Sequence, residues 1–483
     1  AGPGIGPSSV RPVCLEIAPV IELPVLQVGL PPQQPAGTSG VREVPCDAGL
    51  VPARTRCLRL AVPERHGDPA SREIAIAAYV LPATGPAPAS DPIFYLRGGP
   101  GGSGIGAVPT VARLSALRRD RDIVVVDQRG TGFSEPALTC PEIAAAQGPS
   151  VVRADASAAT AWRACNARLR ASGIDLGAYT TAAAAQDLEL LRTALAAPAV
   201  NLYGTSYGSS VALEMMRAHP RSVRSSVLDG PYPPEVNGLS DDAPGLHWLL
   251  DIIPAVCGAD AACAAAHPDV RGDLVAAVAM LDAEPATVVA ADGPQRFDGL
   301  ALLSLVVSDI SQPGLPALFR TLASDDSVAR SAALTAAVAA GERERGALLL
   351  NTIVRDVDRD QRLTLAEGAF ANVTCAEEAP YDARPATRFP TTTWSPRINA
   401  ILRSRADFVR SICANWQVSP APPAAAAAVR SAVPTLILAG GADAQTPLPW
   451  AVLAGRGLTN STLAVIPRGG HVVGFSNACA QSL

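Results

Sequence analysis

The sequence predicts an α/β protein: a doubly wound, mostly parallel sheet interrupted by an inserted, mainly helical segment. Three observations predict it. Short apolar runs recur at PIFYLRGG (92–99), DIVVVDQRG (122–130), AVNLYG (199–204), SSVLDG (225–230), PTLILAGG (434–441) and TLAVIPRGG (462–470), each closed by a Gly-rich or acidic turn. Runs of that kind are expected of strands buried on both faces, and helical periodicity between them, as in residues 182–196, supplies the crossovers that parallel strands need. The alternation then breaks between about Pro231 and Ala428, where residues 247–257, 271–282, 299–309, 315–323, 328–353 and 396–412 read as helices.

That interval holds one expected hairpin, around ATVVAADGPQRFDG, and closes on the Pro/Ala-rich SPAPPAAAAAV (419–429), a linker by composition. The predicted organisation is therefore a first part of the core over 1–230, a helical lid or cap over 231–430, and a C-terminal return to the core over 431–483. In such sheets a site is expected at the C-terminal ends of the strands.

Composition narrows the chemistry. The chain of 483 residues is 48% hydrophobic with a net charge of −5, ample for a core and not basic enough for a nucleic-acid partner. No apolar stretch reaches the roughly 18 residues that span a bilayer, so a soluble monomer without a membrane span is expected. The opening AGPGIGPSSVRP lacks a charged-then-apolar signal, and an export leader is expected to have been removed already. There is no lysine, which excludes Schiff-base chemistry, a Ser–Lys dyad and a phosphate-loop lysine. Any imidazole mechanism must draw on His66, His219, His247, His267 or His471.

The ten cysteines show no paired C-x-x-C zinc spacing. They fall as local couples, Cys46 with Cys57, Cys140 with Cys165, Cys257 with Cys263 and Cys375 with Cys413, leaving Cys14 and Cys479. Buried free thiols in a cytosolic protein are the alternative; disulfides in a secreted or periplasmic bacterial protein are the expectation.

The chemistry sits in the turns. Gly204-Thr205-Ser206-Tyr207-Gly208 is G-x-S-x-G between a predicted strand and a predicted helix, the context of a nucleophile elbow. A side chain at either flanking glycine is expected to collide with neighbouring elements. A serine nucleophile needs a base, and the base an orienting acid, in the order Ser, Asp, His for this topology. PTLILAGGADAQTP places Asp443 beyond one strand and LAVIPRGGHVVGF places His471 beyond the next. The other four histidines are expected at the surface or capping helices.

RGGPGGSG (97–104) follows the strand PIFYL. No GK[ST] follows it, so a phosphate loop is excluded and an oxyanion loop is expected, with the Gly99 and Tyr207 N–H groups as donors.

GGPGGSG, DQRGTGFSEP, AQDLELLRTAL, NLYGTSYGSS, RSSVLDG, CANW, GGADAQTP and GGH, taken together from Cys46 to Cys479, resemble the secreted tripeptidyl-aminopeptidase branch of the α/β-hydrolases, relatives of proline iminopeptidases. The resemblance implies an α/β-hydrolase fold with a TAP-like C-terminal part, and a serine exopeptidase releasing short N-terminal units with Ser206, Asp443 and His471 as its triad. The couple Cys375/Cys413 also resembles a family disulfide. Arg97 stands where proline iminopeptidases carry a histidine, which bears on substrate specificity and makes it a substrate-binding candidate. The chain stops soon after Cys479, which suggests a shortened terminal helix.

An aminopeptidase must hold a free α-ammonium group, which calls for carboxylates near the site. TCAEEAP offers Glu377, the preferred candidate, and Glu378. Solvated surface glutamates are the competing reading. DVDRDQRLTLAE (356–367) has the spacing of a calcium loop, with Asp356, Asp358, Asp360, the Arg362 carbonyl, Thr364 and Glu367 as ligands, though Gln361 replaces the usual turn glycine. An acidic helix–helix loop competes with it. Any calcium there is expected to be structural, and no cofactor is expected in catalysis.

The sequence thus predicts a serine hydrolase acting on peptides. The first alternative is an esterase or acyltransferase on small-molecule or lipid esters, because triad geometry does not separate amide from ester cleavage. The second is a non-catalytic binding protein on the same scaffold.

Overall fold

The computed structural model describes residues 40–46, 51–143, 156–290, 293–308, 315–323, 365–381, 394–443, 445–467, 469–475, 477 and 480–481. Nine strands form one sheet in the order β1 (Val41–Val44), β2 (Arg56–Pro63), β3 (Glu73–Leu81), β5 (Ile123–Asp127), β4 (Ile93–Leu96), β6 (Val200–Thr205), β7 (Val223–Asp229), β10 (Thr435–Gly440) and β11 (Ser461–Ile466). From β5 to β11 every neighbouring pair is parallel. The strands β4 and β5 are buried at every residue, as their unbroken apolar runs IFYL and IVVVD predict.

All six expected strands are present. Strands β1 to β3 were not foreseen; they pair antiparallel with one another, and β3 pairs antiparallel with β5. Their runs carry Arg56, Arg59 and Glu73 and lack the Gly-rich closing turn that marks the parallel strands.

The order of strands reverses around β4, since β5 lies on one side of it and β6 on the other. At such a switch point the loops leaving neighbouring strands diverge and open a crevice. The loop after β4 and the turn after β6 meet there.

Between β7 and β10 the described chain is mainly helical: Gly238–Gly258, Val270–Ala283, Gly299–Ser308, Leu315–Leu322 and Pro396–Asn415, with the hairpin β8 (Ala286–Ala290) and β9 (Gly293–Phe297). The helix expected over 328–353 lies outside the described residues. Asn237, Asp269 and Ser395 cap three of these helices by accepting from free N–H groups of the first turn. The insertion has its own core, including Leu250, Leu274, Phe297, Leu302, Phe319 and Ile398. The Pro/Ala linker makes a short turn, Pro423–Ala426, held by Arg217, which donates to the Ala424 and Ala427 carbonyls at 2.9 and 3.0 Å.

Four disulfides join Cys46–Cys57, Cys140–Cys165, Cys257–Cys263 and Cys375–Cys413, with Cα separations of 5.1 to 5.4 Å. These are the four local couples; Cys14 and Cys479 lie outside the described residues. No described helix is long and apolar enough to cross a membrane.

One charged network is buried beside β2. The Arg129 guanidinium donates to Asp187 Oδ2 at 2.8 Å and Oδ1 at 2.6 Å, and to the Glu64 and Ala178 carbonyls at 2.5 and 2.7 Å. His66 belongs to it, with Nε2 at 2.8 Å from Asp187 Oδ1, which corrects its expected surface or capping role. His219 and His267 do end helices, as expected.

Candidate active site

Ser206 stands between β6 and the helix Tyr207–Ala218 with φ of +54°, a region that L-residues avoid and that persists only where the surroundings impose it. The flanking glycines explain how. A Cβ on Gly204 would lie 2.6 Å from the Gly208 carbonyl oxygen, and one on Gly208 would lie 2.0 Å from the Leu96 oxygen. The expected collision is therefore with β4 and with the turn itself. Ser206 is also fixed through its N–H, which donates to the Asp229 carbonyl at 3.0 Å.

The glycine loop leaves β4 directly against this corner. A Cβ on Gly98 would come within 2.5 Å of Ser206 Cβ and 3.0 Å of its Oγ, so only glycine fits beside the hydroxyl. Gly99 follows with φ of +137°. Among the described residues neither the Gly99 nor the Tyr207 N–H donates to a protein acceptor, as groups kept for a ligand oxygen would not. Arg97 is exposed at the start of this loop; its carbonyl accepts from Gln128 Nε2 at 2.8 Å, and no described carboxylate pairs with its guanidinium.

Asp127, at the end of β5, organises the loop from below. Its Oδ1 accepts from Ser103 Oγ at 3.0 Å and the Ile105 N–H at 2.9 Å, and its Oδ2 accepts from the Phe133 N–H at 2.7 Å. Burial pushes its carboxyl up to about 6, against the pull of these donors. Sequence reading did not single out Asp127; its only signal is a lone acid closing an apolar strand.

Asp443 and His471 meet at the ends of β10 and β11. His471 Nδ1 lies 3.0 and 2.9 Å from the two oxygens of Asp443, which is fully buried. Asp443 Oδ1 also accepts the Gln445 and Thr446 N–H groups at 2.8 and 2.9 Å, and Oδ2 accepts from Thr446 Oγ1 at 2.7 Å. Thr446 was missed, although an acid followed three residues later by a threonine is a local turn signal. Burial alone would pull the His471 imidazole down; the charge and hydrogen bond of Asp443, with the charge of Asp229, outweigh it and raise the ring above its ordinary value.

Glu377 and Glu378 lie in a single π turn, Thr374–Glu378, after the helix Glu367–Val373. Neither is a free surface side chain. Glu377 accepts from the Thr181 N–H at 2.7 Å and Oγ1 at 2.6 Å, and Thr181 Oγ1 lies 2.8 Å from the Tyr207 hydroxyl. Burial pushes Glu377 up to about 7. Glu378 Oε2 accepts from the Tyr232 hydroxyl and the Gly238 N–H, both at 2.8 Å. The two line a cavity with Thr181, Tyr207, Glu214 and Arg217; Ser206, Asp443 and His471 do not line it. The structure therefore sets these glutamates beside the residue that follows Ser206 and does not bring them to its hydroxyl.

Of the calcium-loop residues, Asp356, Asp358, Asp360, Arg362 and Thr364 lie outside the described residues. Glu367 is described, and one of its oxygens accepts the Cys140 N–H at 3.1 Å.

A strained serine at a strand–helix corner, spare N–H groups beside it and a carboxylate–imidazole pair two and three strands away define a serine hydrolase on a mostly parallel sheet. The comparisons agree. Residues 91–264 match the alpha/beta hydrolase fold and residues 401–483 match the TAP-like protein family, so the chain has an α/β-hydrolase fold with a TAP-like C-terminal part. It is 27% identical over 231 residues to the serine protease Hip1 of Mycobacterium tuberculosis, covering 44% of this chain and 43% of that protein. It is 28% identical over 208 residues to the tripeptidyl aminopeptidase of Streptomyces lividans, covering 40% and 38%. The matches thus span less than half the length of these relatives. Among solved structures, an esterase from Thermogutta terrifontis aligns over 86% of this chain and 92% of its own, with 15% identity and a TM-score of 0.36.

Proposed function

We propose that this serine hydrolase is an exopeptidase that releases short N-terminal units from peptides. Ser206 attacks the scissile carbonyl, His471 takes its proton and returns it to the leaving amine, and Asp443 holds the ring through Nδ1. The Gly99 and Tyr207 N–H groups receive the oxyanion, and water then releases the acyl group. The helical insertion acts as a lid, and four disulfides support an exported protein. The observation that carries the peptide reading is the cavity beside Tyr207, where Glu214, Glu377 and Glu378 face a single arginine, Arg217. Such an excess of carboxylate suits a free α-ammonium group. The relatives serine protease Hip1 and tripeptidyl aminopeptidase, peptidases by name, support it.

Ester hydrolysis by the same residues is the second reading. The engagement of Glu377 and Glu378 by Thr181, Tyr232 and Gly238 favours it, since those bonds compete with an incoming amine.

The deciding experiment is release of p-nitroaniline from free and N-blocked aminoacyl-, dipeptidyl- and tripeptidyl-anilides, beside p-nitrophenyl esters, by wild type and Ser206→Ala. Turnover of free-amine anilides alone, lost in S206A, is expected. Ester turnover without any anilide cleavage would sink the peptidase reading.

Glu377 makes a sharper prediction. With its carboxyl raised to about 7, it is neutral below that pH and cannot pair with ammonium. KM for free-amine substrates is therefore expected to fall as pH rises through about 7, until the substrate amine itself loses its proton near pH 8. Glu377→Gln can keep both Thr181 bonds yet is expected to raise that KM by about 10- to 100-fold, leaving N-blocked substrates unchanged. Equal effects on both substrate classes would remove Glu377 from amine binding.

A further inference from the structure

Asp229 closes β7 and is fully buried between the two halves of the site. Its main-chain carbonyl accepts the Ser206 N–H at 3.0 Å. Its side chain faces the other way: Oδ1 accepts the Val473 N–H at 2.9 Å, and Oδ2 accepts the Gly474 N–H at 2.8 Å and the Tyr203 hydroxyl at 3.1 Å. One residue thus bonds both the serine corner and, at Val473, 244 positions away in the chain, the turn that carries His471.

That turn needs an anchor. Val472, directly after His471, has φ of +59°, a conformation that a β-branched residue takes only when something else holds it there. The two N–H groups that follow it are the ones Asp229 binds. Phe475 completes the anchor, with its ring centroid 5.8 Å from both Tyr95 and Tyr203. Gly474 must be bare, because a Cβ there would lie 2.0 Å from the Tyr203 hydroxyl. Gly230, next to Asp229, has φ of +63°, and a Cβ there would lie 2.8 Å from Thr446 Oγ1 and 3.2 Å from both His471 Cε1 and Asp443 Oδ2.

We propose that Asp229 is a positioning residue that ties the Ser206 corner to the strained His471 turn and, with Asp443, supplies the negative charge on which the His471 imidazolium rests. The proposal rests on the reading of Ser206 as nucleophile and His471 as base. When Ser206 gives up its proton the ring becomes cationic; Asp443 bonds it directly, and Asp229, bonded to the two N–H groups that follow Val472, adds its charge from the adjacent strand β7. The titratable groups around the ring are Asp443 and Asp229; burial pushes the Asp229 carboxyl up to about 6, so its charge is present above that pH, and Tyr203 and Tyr95, both buried, face Asp229. Asp443 selects the tautomer through Nδ1. Asp229 fixes where the ring stands relative to Oγ.

The test is the pH dependence of Ser206 phosphonylation by a fluorophosphonate, which needs no knowledge of the natural substrate, with turnover of the best substrate beside it. In Asp229→Asn the amide can accept one of the two turn N–H groups and leaves the other unpaired, and the charge is gone. The expected result is a fall of about 10- to 100-fold in rate with KM unchanged, the loss of a hydrogen-bonded charge. The acid limb is expected to move to lower pH by about one unit, since removing a nearby negative charge makes the imidazolium a stronger acid. A merely structural role would lower Tm and leave the limb in place. His471→Ala separates the two levels of the argument. Full reactivity in H471A would overturn the reading of His471 as base, and this proposal with it; a dead H471A beside an Asp229→Asn of wild-type rate and limb would overturn this proposal alone. If D229N does not fold, Val472→Gly decides. Glycine accepts the positive φ, so Tm is expected to hold or rise while the rate falls about ten-fold as the turn loosens. A wild-type rate in V472G would show that the turn needs no such anchoring.

Discussion

Asp443→Asn is expected to lower kcat on the order of 10⁴-fold with little change in KM or in Tm. The reason lies in how the two oxygens are used. Oδ1 accepts the Gln445 and Thr446 N–H groups, so in the variant the amide oxygen must take that place. The amide nitrogen then occupies the Oδ2 position, 2.9 Å from His471 Nδ1, and donates to it. That turns Nδ1 into an acceptor and moves the ring proton to Nε2, the nitrogen that has to accept from Ser206. The base is present in the wrong tautomer. Fluorophosphonate labelling and anilide or ester turnover measure the loss, and circular dichroism checks the fold. A kcat within about ten-fold of wild type would mean that another group orients the ring.

Arg129→Met is expected to destabilise the protein by about 3–5 kcal/mol, the largest effect foreseen for a residue away from the serine. Its side chain is 2% exposed and that of Asp187 3%. Five protein oxygens accept from the guanidinium, two on Asp187 and the carbonyls of Pro63, Glu64 and Ala178. Removing the cation leaves a buried carboxylate with, among the described residues, His66 alone beside it, and an unpaired buried charge costs far more than the ion pair contributes. Arg129→Met combined with Asp187→Leu is therefore expected to recover part of the loss, because the orphaned charge goes with it. Denaturant unfolding of the single and double variants reads the difference. A double variant less stable than R129M would show that the three carbonyls, and not Asp187, account for the cost.

The contrast between these two residues shows where sequence reading succeeds. Asp443 lies just past an apolar strand run in a Gly-rich turn, and its partner His471 lies just past the next, so strand periodicity and chain order pointed to both. Arg129 was visible only as part of DQRGTGFSEP, with no hint that its partner stands 58 residues on in a helix. The same holds for Glu377. The sequence marked it as a carboxylate near a cysteine couple, but its bonds to Thr181, 196 residues away, belong to packing.

By itself, then, the sequence determined what local geometry dictates. Ser206 between two glycines at a strand–helix corner, the bare loop at Gly98 and Gly99 and the parallel strands from their unbroken apolar runs all follow from backbone sterics or periodicity. The tertiary structure alone decided what joins distant elements: the antiparallel edge of β1 to β3, the buried Arg129–Asp187 pair, the engagement of Glu377 and Glu378, and Asp229 between the serine corner and the histidine turn. The physical reason is that a hydrogen bond between residues far apart in the chain leaves no periodicity and no turn signature in either partner. It is set by which strand ends the sheet order places side by side, and that order exists only once the whole sheet has formed.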